Sequence, residues 1–279
     1  MSYLGVFGLW LQEKELLGRP DAVRVADELT RVAKRTVDGA SIQPGQRVLD
    51  LGSGTGAVAL AAADKGANVV AVDVDGVALA RGRELSTSIQ APVRHLRADG
   101  KALPFADDSF DVSVHRSVLI YMRSREKAIR EERRVLRNGG RVSCSESLGT
   151  ELDLETEDLG IERVWRGGLR DILLDSPDAF MLSAPALEYL YVENGFAEVS
   201  MAAVRHAVKL ESADAVARAF AVSPPAALSA RERWQRAGIA AGLIDEFLAR
   251  LVAEAERGRP ATLTSLEGYL TARARKLRI

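Results

Sequence analysis

An apolar strand that runs into three glycines and then into an Ala-rich helix, VLDLGSGTGAVAL from Val48 to Leu60, leaves this chain few folds to choose from. Glycines turn the backbone sharply with no Cβ in the way, so the strand hands over directly to a helix whose first amides face the turn. A second apolar strand, NVVAVDVD, follows, and PVRHLRAD reads as a third. Helical segments from Thr55 to Lys65 and from Val77 to Ser86 separate them. Apolar strands alternating with helices over short links predict βαβ units with right-handed crossovers and a doubly wound, Rossmann-like α/β sheet.

The flanking segments extend this pattern. Ala22, Val25, Ala26, Leu29, Val32 and Ala33 recur at helical spacing ahead of the first strand. After the loop LPFADDS, FDVSVHRS is a fourth strand. Ser124 is expected to cap a charged helix through Leu136, with Asn138-Gly139-Gly140 as its stop and RVSCSES as a fifth strand. In that helix, Glu131, Glu132, Arg133 and Arg134 read as a solvated face. Four segments result: N-terminal cap helices over 1–39, a ligand-binding core over 40–212 with a lid insertion at about 148–182, a helical insert over 213–257, and a final strand over 258–279. Within the core, ALEYLYVENGF is a helix feeding the strand FAEVSMAAV.

Composition narrows the function. Lys+Arg against Asp+Glu is 38 to 39, a balance that argues against a nucleic-acid partner. The single cysteine, Cys144, excludes an internal disulfide and a Cys-cluster zinc site, and its place in RVSCSES predicts a buried thiol. The N-terminal run YLGVFGLWL is short and passes straight into QEKE, so it is read as neither a signal peptide nor a membrane span, and a cytoplasmic setting is expected.

The glycine turn alone does not name its ligand. Gly52, Gly54 and Ala57 also satisfy the dinucleotide pattern G-x-G-x-x-G/A. Asp50, two residues before Gly52, would face a pyrophosphate as like charge against like, but suits a ligand carrying an amino group and a sulfonium. It is equally a residue that braces the turn by accepting backbone amides. Asp73 closes the second strand where an acid accepts from ribose hydroxyls, a sugar shared by NAD and S-adenosylmethionine. Asp99 closes the third strand, suited to an adenine amino group, and Gly100 beside it leaves room for the ring. Asp107, Asp108 and Asp111 read as loop and edge acids.

VLDLGSGTG, AVDVD, RADGKALPFADDSFDV and VLRNGGRV resemble, in order and spacing, the motifs of class I S-adenosylmethionine-dependent methyltransferases, most closely the small-molecule branch grouped with ubiquinone biosynthesis. The resemblance is specific over about residues 44–147. It implies S-adenosylmethionine as cofactor, the strand order 3-2-1-4-5-7-6, and TLTSLEGYLTARARK as an antiparallel last strand. It also implies Gly52, Ser53 and Gly54 at the methionine part, Asp73 at the ribose, and Asp99 with Gly100 at the adenine, with Val74 as a further cofactor contact. Many relatives carry a His pair after the fourth strand's leucine; here Leu119 is followed by Ile120 and Tyr121.

Methyl transfer needs an acceptor in line with the reacting bond and water kept out, with a base most useful to a hydroxyl acceptor. Of three histidines, His95 and His206 read as structural, and His115, near the end of the fourth strand, is the candidate base. Arg116 and Tyr121 are expected at the methionine carboxylate or the acceptor. Tyr3, Trp10 and Trp165 lie in segments expected to cover the crevice, and are read either as acceptor contacts or as packed core. The expected acceptor is a small organic molecule of specialised metabolism, methylated at O or N, with a possible homodimer. The rival readings are a protein that binds S-adenosylmethionine without transferring methyl, and an NAD-dependent oxidoreductase.

Overall fold

The computed structural model describes residues 1–17, 22–155, 164–169, 182–221 and 229–275. Seven strands, β1 (Arg47–Leu51), β2 (Asn68–Asp73), β3 (Val93–Arg97), β4 (Phe110–Arg116), β5 (Leu136–Glu155), β6 (Phe196–Lys209) and β7 (Thr262–Ala274), form one sheet. Their order is β3-β2-β1-β4-β5-β7-β6. The pairs among β1 to β5 are parallel, and β7 runs antiparallel to β5 and β6. Fold class and strand order are those expected from the sequence.

By contact density the chain divides into two compact units, Met1–Glu146 with Pro185–Ala202 and Tyr269–Ile279, and Ser147–Ala184 with Ala203–Gly268. In the first unit, helices α1 (Tyr3–Trp10), α2 (Ala22–Gly39) and α3 (Ala57–Ala63) share a core with β1, β2 and β4. Every residue of α3 is buried, which its run AVALAAA permits because small side chains let the helix sit close to the sheet. Asp64, just after α3, accepts the Tyr3 and Leu4 amides at 2.6 and 3.0 Å and so satisfies the free amino end of α1. Helix α4 (Gly76–Ser88) starts at Asp75, whose carboxylate accepts from Val77 and Ala78.

The two faces of the sheet meet different helices. Thr36 of α2 donates to Ser145 Oγ at 3.0 Å on one face. On the other, α5 (Arg125–Val135) and α6 (Ala184–Glu193) bring Glu132 and Tyr191 to His115 of β4.

The second unit holds α7 (Ala213–Phe220), α8 (Ala230–Arg236) and α9 (Ala241–Glu256) around a cluster of large aromatics. Trp165, Phe220, Trp234 and Phe247 lie with ring centroids 5.6–6.1 Å apart. Ser229 and Glu232 form a reciprocal capping box at the start of α8.

Several expectations are corrected. β5 does not end at Ser147 but continues to Glu155, because Leu154 is buried in the second unit's core. Of the lid expected over about 148–182, residues 156–163 and 170–181 lie outside the described residues; Trp165–Leu169 is one short helical turn. The Ser124 side chain makes no cap bond, and α5 stops at Val135, so Asn138-Gly139-Gly140 lies inside β5.

Candidate functional site

The crevice is built at the carboxyl ends of β1, β2 and β4. Beyond β1 the chain turns through Gly52 and Gly54, at φ +65 and +53, into α3. A Cβ on Gly52 would lie 2.5 Å from Val118 Cγ2, so only glycine fits there, whereas one on Gly54 would meet nothing within 4 Å. The turn is tied to β2: Ser53 donates its amide to the Val72 carbonyl at 2.9 Å, and Asp73 Oδ2 accepts the Gly54 amide at 2.7 Å. Asp73 Oδ1 accepts from the Asp75 amide at 2.9 Å. Each oxygen keeps a lone pair for a further donor.

Asp50 is the unusual member. It is buried at the end of β1, and neither carboxylate oxygen has a hydrogen-bond partner. Burial pushes its pKa up to about 8. The Ala59 amide, which points toward it without closing a bond, and the positive charges of His115 and Arg116 offset this only in part, while Asp73 adds to it. The Ser53 hydroxyl is likewise buried and unpartnered. Such groups cost free energy unless a ligand supplies the partner. Of the two roles open to Asp50, bracing the turn is the one that Asp73 performs instead.

The remaining expected residues are placed as follows. Val74 is 58 % exposed beside Asp73. Asp99 is exposed and accepts the Lys101 amide at 2.9 Å. Gly100 is buried, and its missing Cβ would stand 2.9 Å from Leu51 Cδ1, so its smallness is required by the protein's own packing. Arg116 is half-buried at the end of β4, and Tyr121 is 48 % exposed on the short turn Leu119–Tyr121.

Two expected roles, those of His115 and Trp165, fail on geometry. His115 is not a free base at the crevice: it is wholly buried, with Nδ1 3.1 Å from Glu146 Oε1 and Nε2 2.7 Å from the Tyr191 hydroxyl. Burial opposes its charge, yet Cys144, Glu146 and Glu132 around the ring hold its pKa well above the ordinary imidazole value. Trp165 is wholly buried in the second unit's aromatic core. Tyr3 and Trp10 pack, partly exposed, against the first unit's core, Trp10 with its ring 5.7 Å from Phe7. Cys144 is buried, as expected, with its thiol pKa pushed up by burial.

Sequence reading missed Glu132, Glu146 and Tyr191. Glu132 is wholly buried rather than solvated. A signal was present, since it follows Ala128 by four residues and precedes Val135 by three, on that helix's buried stripe. Cys144 and Glu146, two apart on a strand, share the face of His115.

A family model described as a methyltransferase domain matches residues 49–144. That segment is similar to a methyltransferase domain. A stretch of 119 residues is 38 % identical to the ubiquinone/menaquinone biosynthesis C-methyltransferase UbiE of Vibrio campbellii, over 40 % of this chain and 46 % of that one. Another of 137 residues is 34 % identical to the methyltransferase GfsG of Streptomyces halstedii, over 47 % and 49 %. The chain thus spans about half the length of the curated relatives it matches. In fold it is similar to the YcgJ protein of Bacillus subtilis, with a TM-score of 0.60 over 88 % of this chain and 99 % of that one, at 19 % identity. The match to a methyltransferase domain decides the glycine turn against a dinucleotide. The residues present fit S-adenosylmethionine: Asp50 and Ser53 are buried polar groups awaiting partners, and Gly54 leaves open space beside them.

Proposed function

We propose that this chain transfers methyl from S-adenosylmethionine to a small organic acceptor in a biosynthetic pathway. The observation that carries the reading is the buried, unpartnered Asp50 carboxylate beneath a glycine turn that leaves open space at Gly54. Bound there, S-adenosylmethionine supplies a methyl group already activated by a sulfonium. Asp50 pairs with the donor's positive charge, and Gly52, Ser53 and Gly54 hold its methionine part, with Arg116 toward the carboxylate. Asp73 takes the ribose hydroxyls, and Asp99, Gly100 and Val74 bound the adenine.

The protein's share of the chemistry is orientation and the exclusion of water, which supply up to about 7–11 kcal/mol in favourable cases. His115 has both ring nitrogens engaged, which takes away the candidate base. That favours an acceptor needing no strong protein base, an amine or an activated carbon, over an unactivated hydroxyl. The C-methyltransferase among the relatives supports the same class. The charge balance favours small-molecule partners over nucleic acid, and we place the reaction in the cytoplasm with the chain single or as a homodimer. Among the described residues no helix is long and apolar enough to cross a membrane.

Calorimetric titrations with S-adenosylmethionine and with NAD test the site, and labelled donor incubated with candidate amines and enolisable carbon acids tests the transfer. S-adenosylmethionine binding with S-adenosylhomocysteine as product is the expected outcome. Binding without S-adenosylhomocysteine from any acceptor would favour a non-transferring role, and NAD binding alone would defeat the reading.

A further inference from the structure

The turn that follows β4 touches both glycines of the crevice. Val118 Cγ2 stands 2.5 Å from where a Cβ on Gly52 would be, and Met122 Cε 3.2 Å from the same position on Gly100. The chain enters this turn through Ser117 at φ +52, a left-handed conformation that costs a non-glycine residue about 1–2 kcal/mol. Such a conformation persists where the surroundings over-determine it.

A side chain from another strand does so here. Glu146 of β5, wholly buried, accepts the amides of Val118 at 2.9 Å and Leu119 at 3.0 Å through Oε1, and that of Ile120 at 3.3 Å through Oε2. A single short turn leaves these amides without partners of its own, and a carboxylate is the strongest acceptor for them. Glu146 is itself anchored by His115, and His115 by the Tyr191 hydroxyl. Tyr191 donates to Glu132 at 3.1 Å, and Glu132 also takes the Ser113 hydroxyl at 2.6 Å. With the tyrosine proton directed to Glu132, His115 Nε2 is left to donate to the tyrosine oxygen. Both ring nitrogens then carry protons, and the imidazolium lies between the carboxylates of Glu146 and Glu132.

We infer that Glu146 is a positioning residue of the cofactor site: through the 118–122 turn it sets the crevice wall at Gly52 and Gly100 without touching the ligand. His115 is its anchor rather than a base. The inference rests on the reading of this crevice as the S-adenosylmethionine site.

The test uses the full chain and two variants. Glu146→Gln replaces one acceptor oxygen by an amino group facing backbone donors, and Tyr191→Phe leaves Glu146 in place but removes the anchor's partner. Two quantities are measured: amide hydrogen exchange at Val118, Leu119 and Ile120 in the ligand-free protein, and the Kd for S-adenosylmethionine by calorimetry. In Glu146→Gln those three amides should exchange at least tenfold faster while β1 and β2 amides do not, and Kd should rise tenfold or more. Tyr191→Phe should move both readouts the same way by a smaller factor, and it carries the test if Glu146→Gln does not fold. A folded Glu146→Gln with wild-type Kd overturns the inference, as does one with weaker binding but unchanged exchange at the three amides. In the fallback, a Tyr191→Phe variant unchanged in both readouts overturns it too. Failure of the wild-type chain to bind S-adenosylmethionine would instead defeat the cofactor reading, leaving the exchange data to judge the hold of Glu146 on its turn.

Discussion

The carboxylate of Asp73 accepts the Gly54 amide at 2.7 Å, joining the end of β2 to the glycine turn that follows β1. One acid therefore shapes the crevice and is expected to bind the sugar within it. Asp50, one strand over, does neither bracing nor pairing and stays buried with free oxygens. The two acids divide the work: one holds the turn and the other waits for a cation.

Asp73→Ala should remain folded while S-adenosylmethionine binding weakens by about 1.5–3 kcal/mol, the usual worth of a hydrogen bond to a charged group. Titration calorimetry on the variant, with its fold checked by circular dichroism, decides this. Wild-type affinity in a folded variant counts against Asp73 as the ribose partner.

Asp50 makes cofactor binding depend on pH. Its pKa of about 8, raised by burial, leaves the free protein protonated there at pH 7, whereas pairing with a cation needs the carboxylate. Affinity should rise with pH, by at most about tenfold per unit, and level off above about pH 8, with net proton release on binding near neutrality. Titrations in buffers of different ionisation enthalpy report that proton. Asp50→Asn should flatten the profile. The stability consequence has a definite sign: a folded-state pKa above the ordinary 3.8 favours the protein fully below that value, and the benefit is lost as pH rises through about 8. Asp50→Asn should therefore melt above the wild type at pH 9, and a lower melting temperature there would refute the burial account.

Gly52→Ala and Gly54→Ala should separate packing from binding. The first drives a methyl into Val118 and is expected to cost stability by about 1–3 kcal/mol. The second meets open space, so its cost is the backbone's about 1–2 kcal/mol at positive φ, while the methyl enters the space assigned to the methionine part. Its Kd should worsen more than its melting temperature falls. Equal effects of the two substitutions on Kd and stability would remove the distinction.

Trp165→Ala should lower stability by about 3–5 kcal/mol, the cost of emptying a large core position. Below its melting temperature the variant should keep the wild-type Kd for S-adenosylmethionine. A stable variant with altered acceptor KM would return Trp165 to the acceptor site.

Periodicity and turn chemistry alone determined much of this protein. Buried strands such as VLDL and VVAV, small-residue helices and the glycine turn are local patterns, so the doubly wound sheet and the rim acids Asp50 and Asp73 were legible in one dimension. The strand order came with the motifs' resemblance to a family. Tertiary structure alone decided what each polar side chain meets. Glu132 in REERR looks like any solvated helix acid, and His115 like a base at a strand end, until packing brings α5, α6 and β5 together and shuts water out from between them. Trp165 was likewise assigned by neighbours from helices far along the chain. Whether a charge is a catalyst, a brace or a buried anchor depends on partners distant in sequence and on the loss of water around it, and neither is written in the spacing of residues.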